Sequence, residues 1–388
     1  MDVPAVDPVR LASLLERLVI AESANPPGGE AAVVAVLADH LGRHGLRVDL
    51  DTVMPGRQNL SASVGTSEGP VLLLNAHTDT MPAGPGWTRL PFAATVEDGL
   101  LYGLGACDAK GGLAAMVEAV VAVATSGASL HGKVILDAVI DEEANASGTR
   151  ATLLADRRAD WAIVAEPTDL AVARLSHGQL VVILTVHGRA AHGSTPDEGR
   201  SAIADAAALV ARFEAEHERL RAFPHPVLGS ASYNVGKIGG GVQASIVAAE
   251  CRLEVDRRIP PGSSLEEATA EVDAVIAAVR AERPGLEVTR EVTVAIPPVE
   301  VAASSPVCLA LSDALIDAGT RGAIGGLRAT SDAAWLVAAG IPAVVFGPGS
   351  LTRAHRPDEC VAIADVELAA RALAATIVRL LGGRAGRV

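Results

Sequence analysis

Four apolar runs of strand length constrain the fold of this chain most strongly. Apolar runs that lack polar–apolar alternation are typical of strands buried on both faces of a parallel sheet. Helix-like segments lie between several of them, so we expect an α/β fold with a mostly parallel sheet flanked by helices. The runs are Val71–Leu74, Val134–Ile140, Trp161–Ala165 and Ala343–Phe346.

Histidine or acidic residues come after each of these runs. In an open α/β sheet the carboxyl ends of the strands meet at one edge, and that edge is where ligands bind. Asp108 lies in a glycine-punctuated loop just ahead of an alanine-rich helical stretch, and we expect it at the same edge. The residues that follow the runs are His77 and Asp79, Glu142 and Glu143, Glu166, and His355.

This set contains the ligands that a pair of zinc ions requires. Two ions about 3.5–4 Å apart need a bridging carboxylate and terminal ligands on each side. Asp108 is the natural bridge. His77 and Glu166 would then complete one metal site, and Glu143 and His355 the other. The sequence therefore predicts a dinuclear hydrolase that uses two divalent ions, with zinc expected first and cobalt or manganese as alternatives.

Two further acidic residues are candidates for catalytic roles. Asp79 follows His77 by two positions in extended chain, so its carboxylate could hydrogen-bond the imidazole and select the nitrogen that faces the metal. Glu142 stands beside a ligand but projects differently, and could take a proton from the attacking water and pass it to the leaving amine.

The middle of the chain has a different order of predicted strands and helices from the rest. Its order of strands and helices, βαββαβ, predicts an inserted ferredoxin-like domain with an exposed sheet edge. We expect a discontinuous catalytic domain at 1–176 and 295–388, and an inserted domain at 177–294 whose exposed sheet edge would support dimerisation. The predicted inserted elements are Leu180–Val186, Arg200–Arg221, Ala231–Ile238, Cys251–Arg257, Ser264–Glu282 and Leu286–Thr293.

Composition excludes several classes of protein. The chain has a net charge of −14, and only three of its 32 basic residues are lysines, without a basic cluster, so we expect no nucleic-acid partner. No apolar run approaches the length of a membrane span, and the first residues do not resemble a secretion signal, so we expect a cytoplasmic protein. Four widely spaced cysteines indicate buried, reduced thiols.

Several motifs together resemble the dinuclear zinc aminoacylase and carboxypeptidase family. That family includes acetylornithine deacetylase, succinyl-diaminopimelate desuccinylase, aminoacylase and glutamate-releasing carboxypeptidase. The resemblance implies hydrolysis of the amide bond of an N-acyl amino acid, as in acetylornithine deacetylase. A desuccinylase and a dipeptidase or carboxypeptidase remain as alternatives. The motifs are Asn75-Ala-His-Thr-Asp79, Gly105-Ala-Cys-Asp-Ala-Lys-Gly-Gly112, Asp141-Glu-Glu143, Ala165-Glu-Pro-Thr168 and His355-Arg-Pro-Asp-Glu359.

The resemblance extends into the insert. Gly188-Arg-Ala-Ala-His192-Gly-Ser-Thr-Pro196 is similar to the lid motif whose histidine reaches the partner subunit's active site, which implies a homodimer and a role for His192 in stabilising the transition state. Arg258 matches the arginine that binds the substrate carboxylate, whereas Arg257 is expected to form a surface ion pair. Thr330 belongs to a loop that faces the substrate in the family, although Thr330 or Asp332 could instead cap the following helix.

Two departures from the family pattern involve three positions. Ser245 and Ala248 stand where the family usually has Asn and Pro, so a contact that the Asn makes across the dimer is in doubt here. His177 occupies the place of an arginine that binds the succinyl carboxylate in desuccinylases, which disfavours that activity. We keep both Ser245 and His177 as candidate substrate-binding residues.

Two rival hypotheses come from other classes. Gly65-Thr-Ser67-Glu-Gly69 matches a serine hydrolase nucleophile elbow, but a strand follows where a helix is required, and we expect a hairpin-type turn. The other rival is a non-catalytic, metal-stabilised binding protein. Glu142 argues against it, because a purely structural metal site has no use for a base beside its ligands.

Overall fold

The structure is a computed structural model that describes residues 3–155 and 158–382. The last residues of the predicted catalytic domain, 383–388, lie outside the described part of the chain. The helices are α1 Pro8–Ile20, α2 Ala31–Arg43, α3 Gly111–Thr125, α4 Ser147–Leu154, α5 Ala202–Arg221, α6 Leu265–Glu282, α7 Pro306–Asp317, α8 Ala333–Ala338 and α9 Ile363–Leu381. The strands are β1 Val48–Met54, β2 Arg57–Gly65, β3 Val71–His77, β4 Thr95–Glu97, β5 Leu100–Tyr102, β6 Lys133–Val139, β7 Trp161–Val164, β8 Val172–Ser176, β9 Gly178–His187, β10 Ser232–Gly240, β11 Glu250–Ile259, β12 Glu287–Ile296, β13 Val299–Glu300, β14 Ile324–Leu327, β15 Ala343–Val345 and β16 Cys360–Ala362.

The largest sheet has a parallel centre, which confirms the predicted fold class. Its strand order is β1-β2-β6-β3-β7-β15-β8-β13, and β14 also pairs with β8. The four predicted apolar runs form the adjacent strands β6, β3, β7 and β15, which pair in parallel. Antiparallel strands extend this centre on both sides. The carboxyl ends of the four central strands therefore meet at one edge.

Buried helices cover this sheet. Helix α3 is apolar nearly all round its circumference and is buried over most of its length, as expected of a helix inside a core. Helix α9 packs beside α3 and buries Val366, Leu373, Ile377 and Leu381. Helix α9 therefore packs against the helix that follows the Asp108 loop.

The chain divides into two compact units. The first comprises the described residues up to Arg174, Val301–Leu327 and those from Ser331 onward. The second comprises Leu175–Glu300 and Arg328–Thr330.

The second unit contains a four-stranded antiparallel sheet with the order β10-β11-β9-β12. Helices α5 and α6 connect its strands in the sequence βαββαβ, the ferredoxin-like arrangement that the sequence predicts. Strand β9 alternates buried and half-buried residues, and its inward face joins a core around Phe213. Strands β10 and β12 form the two edges of this sheet.

One predicted turn is wrong in detail. The Gly65-Thr-Ser67-Glu-Gly69 segment does not close a hairpin, because strand β6 lies between β2 and β3 in the sheet. It joins two strands of the same sheet and leads into no helix, so Ser67 lacks the strand-to-helix setting of a nucleophile elbow.

Two other sequence-based expectations can be compared with the structure. All four cysteines, Cys107, Cys251, Cys308 and Cys360, are free and buried, as expected. Within residues 3–155 and 158–382, no helix has the length and apolar character needed to cross a bilayer.

Candidate metal centre

The residues that follow three of the central strands lie close together. His77 is the last residue of β3, Glu142 and Glu143 follow β6, and Glu166 follows β7. The parallel register aligns these strands, with His77 opposite Val139 and Asn75 opposite Val164. The short connections beyond those ends therefore bring a histidine and three glutamates together.

Asp108 comes from a tight turn ahead of α3. The turn begins at Gly105, whose φ of 77° is the left-handed conformation that glycine adopts without strain. A side chain at Gly105 would also meet Thr80 and Lys110. The peptide bond after Asp108 is cis. This turn places the carboxylate among the strand-end residues, and His355 reaches the same place from the loop after β15.

The two carboxylate oxygens of Asp108 face two different histidines. Oδ1 lies 3.3 Å from His77 Nε2, and Oδ2 lies 3.3 Å from His355 Nε2. Glu166 Oε1 is 4.0 Å from His77 Nε2, and Glu143 Oε1 is 3.1 Å from His355 Nε2. The centre thus has two halves joined by one carboxylate.

Ligand atoms cluster in each half. His77, Glu142 and Glu166 form one group, and Asp108, Glu143 and His355 form the other, with the ligand atoms of each group within 4.8 Å of one another. The adjacent residues Glu142 and Glu143 therefore point into different halves. His77, Asp108 and Glu166 are buried, whereas the His355 side chain is 49% exposed.

Four carboxylates and two histidines lie together in the centre. Burial raises the pKa values of Glu142 and Glu166 well above their usual range, and neighbouring carboxylates raise them further. Hydrogen bonds to Asp108 and Glu143 raise the pKa of His355 to about 10. Within residues 3–155 and 158–382, no lysine or arginine forms an ion pair with any of the four carboxylates. A cation bound among these carboxylates would offset their mutual repulsion.

This donor set fits two divalent metal ions. Imidazole nitrogens and carboxylate oxygens are the ligands that zinc and related ions take, and a shared carboxylate is what a closely spaced pair requires. Asp108 has the geometry of that bridge, because each of its oxygens faces one histidine. Each half also contains one histidine and at least one glutamate that can serve as terminal ligands.

Asp79 supports the centre in a different way from the one expected. The imidazole Nδ1 of His77 contacts the main-chain carbonyl of Asp79 at 2.9 Å, while the Asp79 carboxylate is 3.6 Å from that nitrogen. The carboxylate instead accepts hydrogen bonds from the backbone N–H groups of Glu142, at 3.2 Å, and Glu143, at 3.1 Å. Asp79 therefore holds both the histidine and the turn that carries the two glutamates.

Glu359 is a supporting residue to which sequence reasoning assigned no role. Its Oε1 accepts hydrogen bonds from the backbone N–H groups of Cys107, at 2.8 Å, and Asp108, at 3.0 Å. Glu359 is only 2% exposed, and burial raises its pKa to about 7. The sequence signal was its position at the end of the His355-Arg-Pro-Asp-Glu359 motif.

His192 and Ser245 lie in neighbouring loops of the second unit. Both are exposed, and the backbone of His192 pairs with Ile246, next to Ser245. The His192 ring contacts Ser194 Oγ at 2.7 Å. Their neighbours Gly193, Ala244 and Ile246 line a cavity of about 620 Å³, whereas His192 and Ser245 themselves do not line it.

Arg258 and His177 lie near each other in the second unit, at the other end of strands β9 and β11 from the loops that carry His192 and Ser245. Arg258 is partly exposed and contacts Asp256 at 3.1 Å. His177 is 5% exposed, and its Nε2 has no hydrogen-bond partner among the described residues. Burial lowers its pKa, and the charge of Arg258 lowers it further. The expected surface ion pair of Arg257 is wrong in one respect, because Arg257 is buried against Glu271.

The alternative that Thr330 or Asp332 caps helix α8 is wrong. No side-chain cap is present at α8 within the described residues, and Asp332 Oδ2 accepts a hydrogen bond from Thr149 Oγ1 at 2.6 Å. Thr330 is half-buried. Asp332 is 1% exposed, and burial raises its pKa to about 7.

Known proteins are similar to this chain in sequence and in fold. Residues 73–379 match peptidase family M20/M25/M40. An acetylornithine deacetylase from Proteus mirabilis is 32% identical over 343 residues, covering 87% of this chain and 86% of that protein.

Among solved structures, a tripeptidase from Staphylococcus aureus has a TM-score of 0.81 at 24% identity, covering 96% of this chain and 98% of the other. A dinuclear metal-binding peptidase of family M20 from Bacillus subtilis has a TM-score of 0.73 at 17% identity, again covering 96% and 98%. Since the family match spans most of the chain and two groups of histidine and carboxylate ligands could hold divalent ions, the chain belongs to peptidase family M20/M25/M40 and is a metal-dependent amidohydrolase.

Proposed function

We propose that this hydrolase removes the acyl group from an N-acyl amino acid, as an acetylornithine deacetylase does, with zinc as its metal. The observation that carries the proposal is the position of Asp108, whose two oxygens each face one histidine at 3.3 Å. The sequence similarity to an acetylornithine deacetylase supports the choice of an acylated amino acid over other amides.

The chain's own residues divide into two metal-holding sets. His77 and Glu166 would hold one ion, Glu143 and His355 the other, and Asp108 both. Bound there, the two ions would polarise the scissile carbonyl and make a water molecule more acidic.

Glu142 is the general base in this proposal. Its carboxylate lies in the half of the centre that contains His77 and Glu166, and burial raises its pKa. A raised pKa suits a carboxylate that accepts a proton from the attacking water and then releases it to the leaving nitrogen. Asp79 would keep this base in place through the backbone N–H of Glu142.

Residues of the second unit would recognise the substrate. We assign to Arg258 the substrate carboxylate, which a guanidinium binds with two parallel hydrogen bonds. Thr330, Ser245 and His177 are further candidates for contacts with the substrate. His177 offers an imidazole where a desuccinylase would need a guanidinium, so an acetyl group is favoured over a succinyl group.

We propose that His192 acts across a homodimer. The second unit would serve as the lid and dimerisation domain, residues 177–294, inserted into a catalytic domain at 1–176 and 295–388. The unpaired strand edges β10 and β12 support pairing between copies of this unit. The free, buried thiols support a reducing, cytoplasmic location.

A substrate and metal screen tests this function. Metal-stripped protein would be reloaded with Zn²⁺, Co²⁺ or Mn²⁺ and offered N-acetyl, N-succinyl and N-formyl amino acids and dipeptides. We expect the highest kcat/KM for an N-acetyl amino acid with zinc. A preference for N-succinyl compounds or dipeptides would refute the proposed acyl group, and activity of the stripped protein would refute the metal mechanism.

A further inference from the structure

The side chain of Asn25 joins two buried carboxylates next to the catalytic glutamates. Its Nδ2 donates one hydrogen bond to Asp79 Oδ2 and one to Asp141 Oδ1, both at 2.9 Å. Asn25 is 3% exposed, Asp79 is fully buried and Asp141 is 1% exposed. We infer that Asn25, braced by Arg57, is a positioning residue that sets the orientation of Glu142 and Glu143.

The first link runs through Asp79. Its carboxylate accepts the backbone N–H groups of Glu142 and Glu143, so the position of that carboxylate determines where the turn lies. The hydrogen bond from Asn25 fixes Asp79 Oδ2, the same oxygen that accepts the Glu143 N–H.

The second link runs through Asp141, which directly precedes Glu142. Asp141 has a φ of 69°, a left-handed conformation that is uncommon for a residue other than glycine. Its carboxylate is held by Asn25, by Ser147 Oγ at 2.5 Å and by Arg57 at 3.2 Å. These contacts hold the start of the turn, as Asp79 holds its middle.

Arg57 connects Asp141 to a further buried carboxylate, Glu30. Its Nε contacts both carboxylate oxygens of Glu30, at 3.1 and 2.9 Å, and Glu30 is fully buried. A Cβ atom at Gly28 would lie 2.5 Å from the Arg57 guanidinium, so the Asn25-Pro-Pro-Gly28 turn requires glycine there. The same turn therefore supplies Asn25 and accommodates Arg57.

Asparagine is suited to this position because of its charge and its donors. A primary amide carries two N–H donors and no charge, so one nitrogen can serve two carboxylates at once. Aspartate has the same shape, but it would place a third carboxylate beside Asp79 and Asp141 and remove both donors. Both buried acceptors would then lose a partner, which is costly in a low-dielectric interior.

The inference rests on the proposed roles of Glu142 as base and Glu143 as ligand. Displacing the turn would move both glutamates while leaving the substrate-contacting residues of the second unit in place. We therefore expect a loss in zinc affinity and in kcat, with little change in KM. A role in stability alone would change none of these quantities in the folded protein.

The test compares Asn25→Asp and Asn25→Ala with the parent protein in the full-length chain. Metal-stripped samples would be titrated with Zn²⁺ by calorimetry, and kcat and KM would be measured for the best substrate of the screen. We expect the weaker zinc site to lose about 10- to 100-fold in affinity, the effect typical of residues that orient metal ligands. Asn25→Ala introduces no charge, so the same measurements can be made on it if Asn25→Asp fails to fold.

Arg10 provides a matched control for Arg57. Arg10 donates to Glu118, a glutamate as fully buried as Glu30, at 2.8 Å. Arg10→Met should lower the melting temperature without changing zinc affinity or kcat, whereas Arg57→Met should also weaken zinc binding and lower kcat.

Glu143→Gln separates the possible failures. If Glu143→Gln loses zinc while both Asn25 variants keep parental zinc affinity and kcat, the positioning role is refuted and the proposed function stands. If Glu143→Gln itself keeps both ions at full affinity, the ligand assignment is refuted, and the inference falls with it.

Discussion

The adjacent glutamates Glu142 and Glu143 are expected to respond in opposite ways to the same substitution. Glutamine preserves the size of glutamate but removes its charge and basicity. Glu142→Gln should therefore lower kcat by about 10² to 10⁴-fold, the usual contribution of a general base, while both ions remain bound. This loss corresponds to about 2.7–5.4 kcal/mol of transition-state stabilisation.

Glu143→Gln should weaken metal binding. Of the three ligand residues in its half of the centre, Asp108 and Glu143 are the carboxylates, and Asp108 is shared with the other half. Removing the Glu143 charge leaves that ion with a shared carboxylate and an imidazole. Since even a residue that only orients a ligand changes affinity by about 10- to 100-fold, the loss here should exceed that range.

Metal analysis combined with kinetics distinguishes the two variants. After extensive dialysis, Glu142→Gln should contain two ions per chain and remain inactive. Glu143→Gln should contain about one, and excess zinc should restore part of its activity. Glu218→Gln, on an exposed helix position, controls for the chemistry of the substitution and should match the parent protein.

Two outcomes would refute this reasoning. If Glu142→Gln lost metal while Glu143→Gln kept it, the two roles would be reversed, and Glu142 would be a ligand in the half that it shares with His77 and Glu166. If both variants kept metal and activity, neither glutamate would take part in hydrolysis.

Three further predictions concern metal content, assembly and thiol reactivity. Chelation should abolish activity, and reloading should require two ions per chain; full activity with one ion would contradict the bridging role of Asp108. Mixing a His192→Ala chain with a Glu142→Ala chain should restore partial activity from one intact composite site, and complete inactivity of the mixture would count against catalysis across the dimer. Burial raises the pKa of the Cys308 thiol to about 11, so at pH 8 roughly one thiol in 1,000 is ionised. Mass spectrometry after iodoacetamide treatment should show Cys308 unmodified in the folded protein and modified in urea, and rapid labelling of the folded protein would contradict its burial.

The sequence alone determines the parallel centre of the fold and the chemistry of the candidate metal ligands. Buried parallel strands are recognisable as continuous apolar runs, and the carboxyl ends of such strands meet at one edge whatever the rest of the chain does. His77, Glu143 and Glu166 could be found for this reason. The inserted unit was equally recognisable, because its order of strands and helices is a local property of the chain.

The flanking strands and the supports of the centre depended on the tertiary structure. Strand β6 lies between β2 and β3, which no local pattern predicts, so the expected hairpin turn was wrong. Glu359 hydrogen-bonds the Asp108 backbone across 251 positions of sequence, and Asn25 reaches Asp141 across 116. Periodicity and motif spacing report which face of an element is buried. They do not report which distant polar groups meet in the interior, because those pairings follow from how the whole chain packs.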